Sequence, residues 1–200
     1  MQMNIEGLSL LSGRTLNVSI MKKSVFIILL SVMAMGIASA QTTKSIYDYK
    51  LTDINGKTYD MSELKGKKAL IVNTASHCSL TPQVKEMEKL YKDFRDNLVI
   101  IAVPSNDFGN QEPGSNEEIK SFVKENDLTF PVMEKTSVTG DNENPLYQWL
   151  TQKDLNGTMD TKVNWNYQKY MIDENGKLVG VVESKESLDS DKVKAWLEEK

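Results

Sequence analysis

The chain has 200 residues, 40% hydrophobic and 26% charged, with a net charge of −4. That composition suits one globular domain and excludes a disordered segment, and an acidic balance gives no electrostatic footing for nucleic acid or an anionic lipid surface. The single cysteine, Cys78, excludes an internal disulfide.

The first forty residues differ from the rest. Met21-Lys22-Lys23 is a basic start, Val25–Ile37 is an apolar run broken only by Ser31 and Gly36, and Ala38-Ser39-Ala40 fits a small-residue cleavage site. This pattern predicts a secretory signal peptide over about 21–40, cleaved near Ala40, too short and wrongly flanked for stable membrane insertion. A long uncleaved N-terminal anchor is the competing reading. Residues 1–20 form an upstream extension without amphipathic order, so Met21 rivals Met1 as the true start. Cleavage would leave a periplasmic or secreted domain over 41–200. Three basic residues and one acidic residue lie before it, so its net charge is −6.

Within that domain, Tyr47–Thr52 and Lys57–Met61 flank Asp53-Ile54-Asn55-Gly56, predicting an N-terminal hairpin whose Asn-Gly pair tolerates positive φ. Ala69–Val72 has the Ile/Val content of a buried strand. Thr81-Pro82 reads as N-cap and first residue of a helix carrying Val84, Met87, Leu90, Tyr91 and Phe94 at helical spacing. Cys78 therefore falls in the turn between a core strand and a helix N-terminus, whose partial positive charge favours thiolate. Leu98–Val103 is a second buried strand, cut by Pro104, and a loop rich in turn formers follows.

Ser115-Asn116-Glu117-Glu118 reads as a capping box for a helix with Ile119, Phe122 and Val123 inward. Leu128–Met133 is expected as a short strand limited by Pro131, and Asn144-Pro145 opens a helix with Leu146, Trp149 and Leu150 on one face. Gln152–Val163 is polar and reads as loop. Trp165–Ile172 and Lys177–Glu183 form a second hairpin around Asp173-Glu174-Asn175-Gly176, and Ser190 caps a final helix with Val193, Trp196 and Leu197 inward. The order β-α-β-α, β-hairpin, α predicts an α/β domain with a central mixed sheet flanked by helices, the order of a thioredoxin fold.

Three segments resemble the glutathione peroxidase family, and the match spans nearly all of 46–184. Val72-Asn73-Thr74-Ala75-Ser76-His77-Cys78-Ser79-Leu80-Thr81-Pro82-Gln83 is similar to the family's segment around the peroxidatic cysteine or selenocysteine. Phe108-Gly109-Asn110-Gln111-Glu112-Pro113-Gly114-Ser115-Asn116-Glu117-Glu118-Ile119 resembles its second signature, and Val163-Asn164-Trp165-Asn166-Tyr167 its third. The resemblance implies a site of cysteine, glutamine, tryptophan and asparagine, with Cys78, Trp165 and Asn166 in three of these places. The glutamine of the family's Asn-Gln-Phe-Gly is Asp107 here. An ionised carboxylate opposes a nearby thiolate where an amide would support it. Asp107 would serve protonated, as donor or proton shuttle, or turn to solvent. Family cysteines at two further places are Ser105 and Lys124, which makes this a one-cysteine form.

The implied function is a thiol-dependent peroxidase acting on hydrogen peroxide or organic hydroperoxides in the response to oxidative stress. Cys78 is the nucleophile, and Trp165 and Asn166 supply neutral donors. The resulting sulfenic acid needs an external thiol, glutathione or a thioredoxin-like protein, to resolve it. No cofactor or metal is implied. The polar stretch before Trp165 is short compared with family members that carry a long oligomerisation insert, which implies a monomer.

Plainer readings stand beside these. Cys78 could be an inert core thiol, Trp165 and Asn166 packing and turn residues, and His77 a neighbour whose side chain points away from Cys78 in extended backbone. A low-turnover redox sensor or thiol-binding module, in which Asp107 weakens catalysis, is the alternative function. Thiol–disulfide exchange is disfavoured because Cys78-Ser79-Leu80-Thr81 lacks a second cysteine.

Overall fold

The computed structural model describes residues 44–199. The predicted signal peptide and upstream extension lie outside them. Among the described residues, six strands and five α-helices are β1 (Lys50–Thr52), β2 (Thr58–Asp60), β3 (Lys68–Thr74), α1 (Gln83–Phe94), β4 (Leu98–Pro104), α2 (Asn116–Glu125), α3 (Pro145–Thr151), α4 (Lys153–Asn156), β5 (Lys169–Ile172), β6 (Leu178–Val182) and α5 (Asp191–Glu198). β1 and β2 form the N-terminal antiparallel hairpin, and the main sheet runs β4-β3-β5-β6. β3 pairs with β4 in parallel from Lys68↔Leu98 to Thr74↔Pro104, and antiparallel to β5 from Ala69↔Ile172 to Val72↔Lys169.

Alternation along β3 divides the core. Ala69 and Ile71 join the apolar cluster that holds Leu146, Tyr147, Trp149 and Leu150 of α3, together with Ile46, Met61 and Leu64. The neighbours of Leu70 and Val72 on the other face are Val84 and Met87 of α1, Ile119 of α2, and Val193 and Trp196 of α5.

 Successive side chains of a strand point to opposite faces, so Leu70 and Val72 on one side and Ala69 and Ile71 on the other let β3 serve both layers of helices.

The two Asp-x-Asn-Gly-Lys turns are built alike. The Asp53 carboxylate accepts from the N–H groups of Asn55 and Lys57, and Asp173 does the same for Asn175 and Lys177. Of each Asn-Gly pair only the glycine has positive φ, 80° at Gly56 and 78° at Gly176. The Asp carboxylate holds each turn by accepting two N–H groups, and the asparagine does not enter the left-handed region. A Cβ at Gly176 would also lie 2.7 Å from the Tyr47 ring, whose hydroxyl donates to the Glu174 carbonyl.

Several expected elements differ. Leu128–Met133 makes only isolated bridges, Ala102↔Val132 and Asp53↔Met133, because Pro131 offers a carbonyl to the Ala102 N–H but has no N–H to return. The stretch 152–163 contains α4, ended by Gly157 at φ 75° and anchored by Asn156, whose amide donates to the Trp149 and Met159 carbonyls. β5 begins only at Lys169, since Tyr167 is held at φ 66°. Phe94, the last residue of α1 and expected on its inward face, is 40% exposed. Ser190 precedes α5, but its hydroxyl makes no capping bond. The capping box of Ser115 and Glu118 and the Asn144 cap on Leu146 form as predicted.

Candidate active site

β3 leaves the sheet at Thr74, and the chain turns through 75–82 before α1 begins. Thr81 fastens this turn, and it does not cap the helix as the sequence predicts. Its hydroxyl lies within donating reach of three carbonyls, the shortest 2.6 Å to Cys78, and its N–H donates to the same Cys78 carbonyl at 3.0 Å. Pro82 takes the N-cap position without a side-chain bond. Cys78 sits inside the turn, 6% exposed, in the apolar cluster that holds Ala75, Val84 and Tyr167. The Leu80 N–H donates to its Sγ at 3.4 Å, a contact a sulfur anion can use.

The loop after β4 is laced to this turn. The Ser105 N–H donates to the Thr74 carbonyl, and the His77 N–H donates to the Gln111 carbonyl at 3.0 Å. Buried Glu112 accepts from Ser76 twice, from its N–H at 2.8 Å and its hydroxyl at 2.7 Å. Two paired bonds satisfy a carboxylate that would otherwise be costly to bury.

The third segment comes from before β5. The Asn73 amide donates to the Trp165 carbonyl at 3.1 Å, and the Tyr167 N–H donates to the Asn73 carbonyl at 2.7 Å. The Tyr167 hydroxyl donates to the Ala75 carbonyl at 2.9 Å, which locks a non-glycine residue into left-handed backbone. Burial raises the Tyr167 phenol pKa, and negative charge on nearby Cys78 adds to the rise. The Trp165 ring is 39% exposed and packs on Phe108, with ring centroids 5.7 Å apart. Asn166 is fully buried, and its Nδ2 donates to Gln111 Oε1 at 3.0 Å and to the Phe108 carbonyl at 3.3 Å.

Thus the segments bearing Cys78, Gln111 and Trp165-Asn166 meet beyond the C-terminal ends of the parallel strands β3 and β4. Asp107 faces elsewhere. Its carboxylate accepts from the Ser137 hydroxyl and from the N–H groups of Val138 at 2.6 Å and Thr139 at 3.2 Å. Two backbone N–H groups converge on Oδ2, so the side chain is used here as an acceptor that clamps the 137–139 segment, and the donor or proton-shuttle role considered from the sequence is not what this geometry builds. The His77 ring is engaged by the Ser76 hydroxyl, 3.0 Å from Nδ1.

Sequence reasoning gave no role to Gln111, Glu112 or Tyr167. Gln111 and Glu112 lie inside the second signature and Tyr167 closes the third segment, and two adjacent polar residues in a loop between buried elements are the available signal for the first pair. The left-handed backbone of Tyr167 has no local signature, because it arises from pairing with β3. No group of three or more His, Cys, Asp or Glu side chains among the described residues could hold a metal ion.

A mixed sheet between two helical layers, with a cysteine in the turn after a central strand, defines a thioredoxin fold. A thioredoxin-family thiol:disulfide interchange protein of Chlorobium tepidum shares the fold at a TM-score of 0.55 and 20% identity, covering 74% of this chain and 92% of its own. Residues 46–151 match the family model described as glutathione peroxidase. The chain is 44% identical over 140 residues to glutathione peroxidase-like peroxiredoxin 2 of Saccharomyces cerevisiae, covering 68% of this chain and 86% of that protein. It is 43% identical over 138 residues to the glutathione peroxidase homolog BsaA of Staphylococcus epidermidis, covering 68% and 87% respectively. The apo crystal structure of Trgpx superposes with a TM-score of 0.61 at 32% identity, covering 79% of this chain and 98% of its own. The chain belongs to the glutathione peroxidase family and is a peroxidase of the oxidoreductase class.

Proposed function

We propose that Cys78 is the nucleophile of a thiol-dependent peroxidase that reduces hydrogen peroxide or organic hydroperoxides. The Cys78 thiolate attacks the terminal oxygen of R–O–O–H, a sulfur–oxygen bond forms and the oxygen–oxygen bond breaks. Sulfur is oxidised by two electrons to the sulfenic acid, and the leaving RO⁻ takes a proton to become ROH. An external thiol, glutathione or a thioredoxin-like protein, then attacks the sulfenic sulfur, releasing water and forming a mixed disulfide. A second equivalent of thiol returns Cys78 to its reduced form.

The observation that carries this reading is the fastening of Trp165-Asn166-Tyr167 to Asn73, Ala75 and Gln111 around the Cys78 turn. An inert core thiol would need no such polar framework. The Leu80 N–H bears on the sulfur, and partly exposed Trp165 offers a neutral indole donor. Asn166, expected from the sequence as a donor, spends its amide hydrogens on Gln111 and the Phe108 carbonyl and so positions its neighbours. Cys78→Ser is expected to abolish thiol-dependent peroxide consumption in a steady-state assay without changing the folded spectrum. Retained turnover would move the nucleophile elsewhere.

A further inference from the structure

We propose that Gln111, rather than residue 107, supplies the side-chain amide of the reaction site. This rests on Cys78 being the peroxidatic thiol. Breaking the peroxide bond places negative charge on the departing oxygen, and a preorganised neutral N–H lowers the cost of that charge. Asp107 cannot provide it, because its carboxylate holds the 137–139 segment.

Gln111 is held at both ends. Its carbonyl accepts from the N–H of His77, the residue before Cys78. Its side-chain oxygen accepts from Asn166 Nδ2. The orientation of both amides follows from a fixed acceptor: the Phe108 carbonyl can only accept, so Asn166 must turn its Nδ2 toward it and toward Gln111. Gln111 must then present Oε1 to Asn166. Its own Nε2 is left as a donor with no protein acceptor among the described residues.

Gly109, at φ 64°, fits beneath this amide. A Cβ there would sit 3.4 Å from Cγ, Cδ and Nε2 of Gln111. The adjoining Asn166 Oδ1 is buried with no protein donor among the described residues, an acceptor that the O–H of a hydroperoxide can meet. The loop thus moves the amide four residues along the chain and frees residue 107 for a clamp.

The test compares two reactions of the same sulfur. Second-order rate constants are measured by stopped flow for Cys78 with hydrogen peroxide and, separately, with iodoacetamide, whose iodide leaving group needs no such hydrogen bond. In Gln111→Ala and Gln111→Met the ratio of peroxide to iodoacetamide rate constants should fall at least about tenfold, against the roughly hundredfold or greater cost of deleting an oxyanion donor. Gln111→Met keeps the side-chain length and decides the matter if the alanine variant does not fold. A ratio falling by less than about tenfold in a folded variant overturns the proposal, as does a parallel loss of both rates, which would mark Gln111 as structural. It falls too if neither variant folds. Should the wild-type thiol itself not react with peroxide, the proposed function fails along with it.

Discussion

Lys169 carries its ammonium group inside the molecule, where it donates to the carbonyls of Glu183, Ser184 and Glu186. Burial lowers its pKa from 10.5 to about 8, only partly offset by Glu86, Glu186 and Glu183. Below about pH 8 both folded and unfolded chains hold this proton. Between about 8 and about 10.5 the unfolded chain binds more of it, so this residue makes stability rise with pH across that window. Denaturant midpoints taken across the window should rise with pH in the wild type relative to Lys169→Met. Parallel curves for the two proteins would contradict the assignment. At the same scale, the meeting of the segments that carry Cys78, Trp165 and Asn166 was legible because those segments form recognisable strings. Asp107 and Gln111 were not, because which of two nearby residues turns inward depends on donors some thirty and fifty residues away.

At the scale of elements, the C-terminal helix is fastened by another buried lysine. Lys68, at the start of β3, donates to the carbonyls of Trp196, Leu197 and Glu199 and pairs with Glu174 at 3.4 Å. It satisfies carbonyls that a helix C-terminus leaves unpaired and places positive charge at the favourable end of the dipole. Lys68→Met should cost about 2–3 kcal/mol in chemical denaturation, the scale of losing charged hydrogen bonds to buried acceptors, and should perturb the fluorescence of buried Trp196. An unchanged midpoint would mean that apolar packing alone seats the helix. Periodicity found α1, α2, α3 and α5, since each has a face to bury. It could not find α4, which is one turn long and set by Asn156 and Gly157, and it over-read Leu128–Met133, where the apolar pattern was right but proline removed the donor.

For the whole molecule, the alternation of β3 between two apolar clusters explains why the fold could be inferred from element order. A strand that is apolar at successive positions must be covered on both sides. Closure of the site was less accessible, because it uses loops joined through single hydrogen bonds rather than a repeating pattern. The sensor alternative and the peroxidase share this architecture and differ in whether the oxidised thiol is recycled. With Cys78 the sole cysteine, the proposed mechanism predicts one equivalent of peroxide reduced per chain and an outside thiol for every further turnover.

The most direct measurement is to expose the reduced protein to one equivalent of hydrogen peroxide with dimedone present and map the adduct by mass spectrometry. The account predicts dimedone on Cys78 and, in a parallel sample without dimedone, repeated peroxide consumption once an external thiol is added. An unmodified Cys78 after the peroxide has been consumed would contradict it.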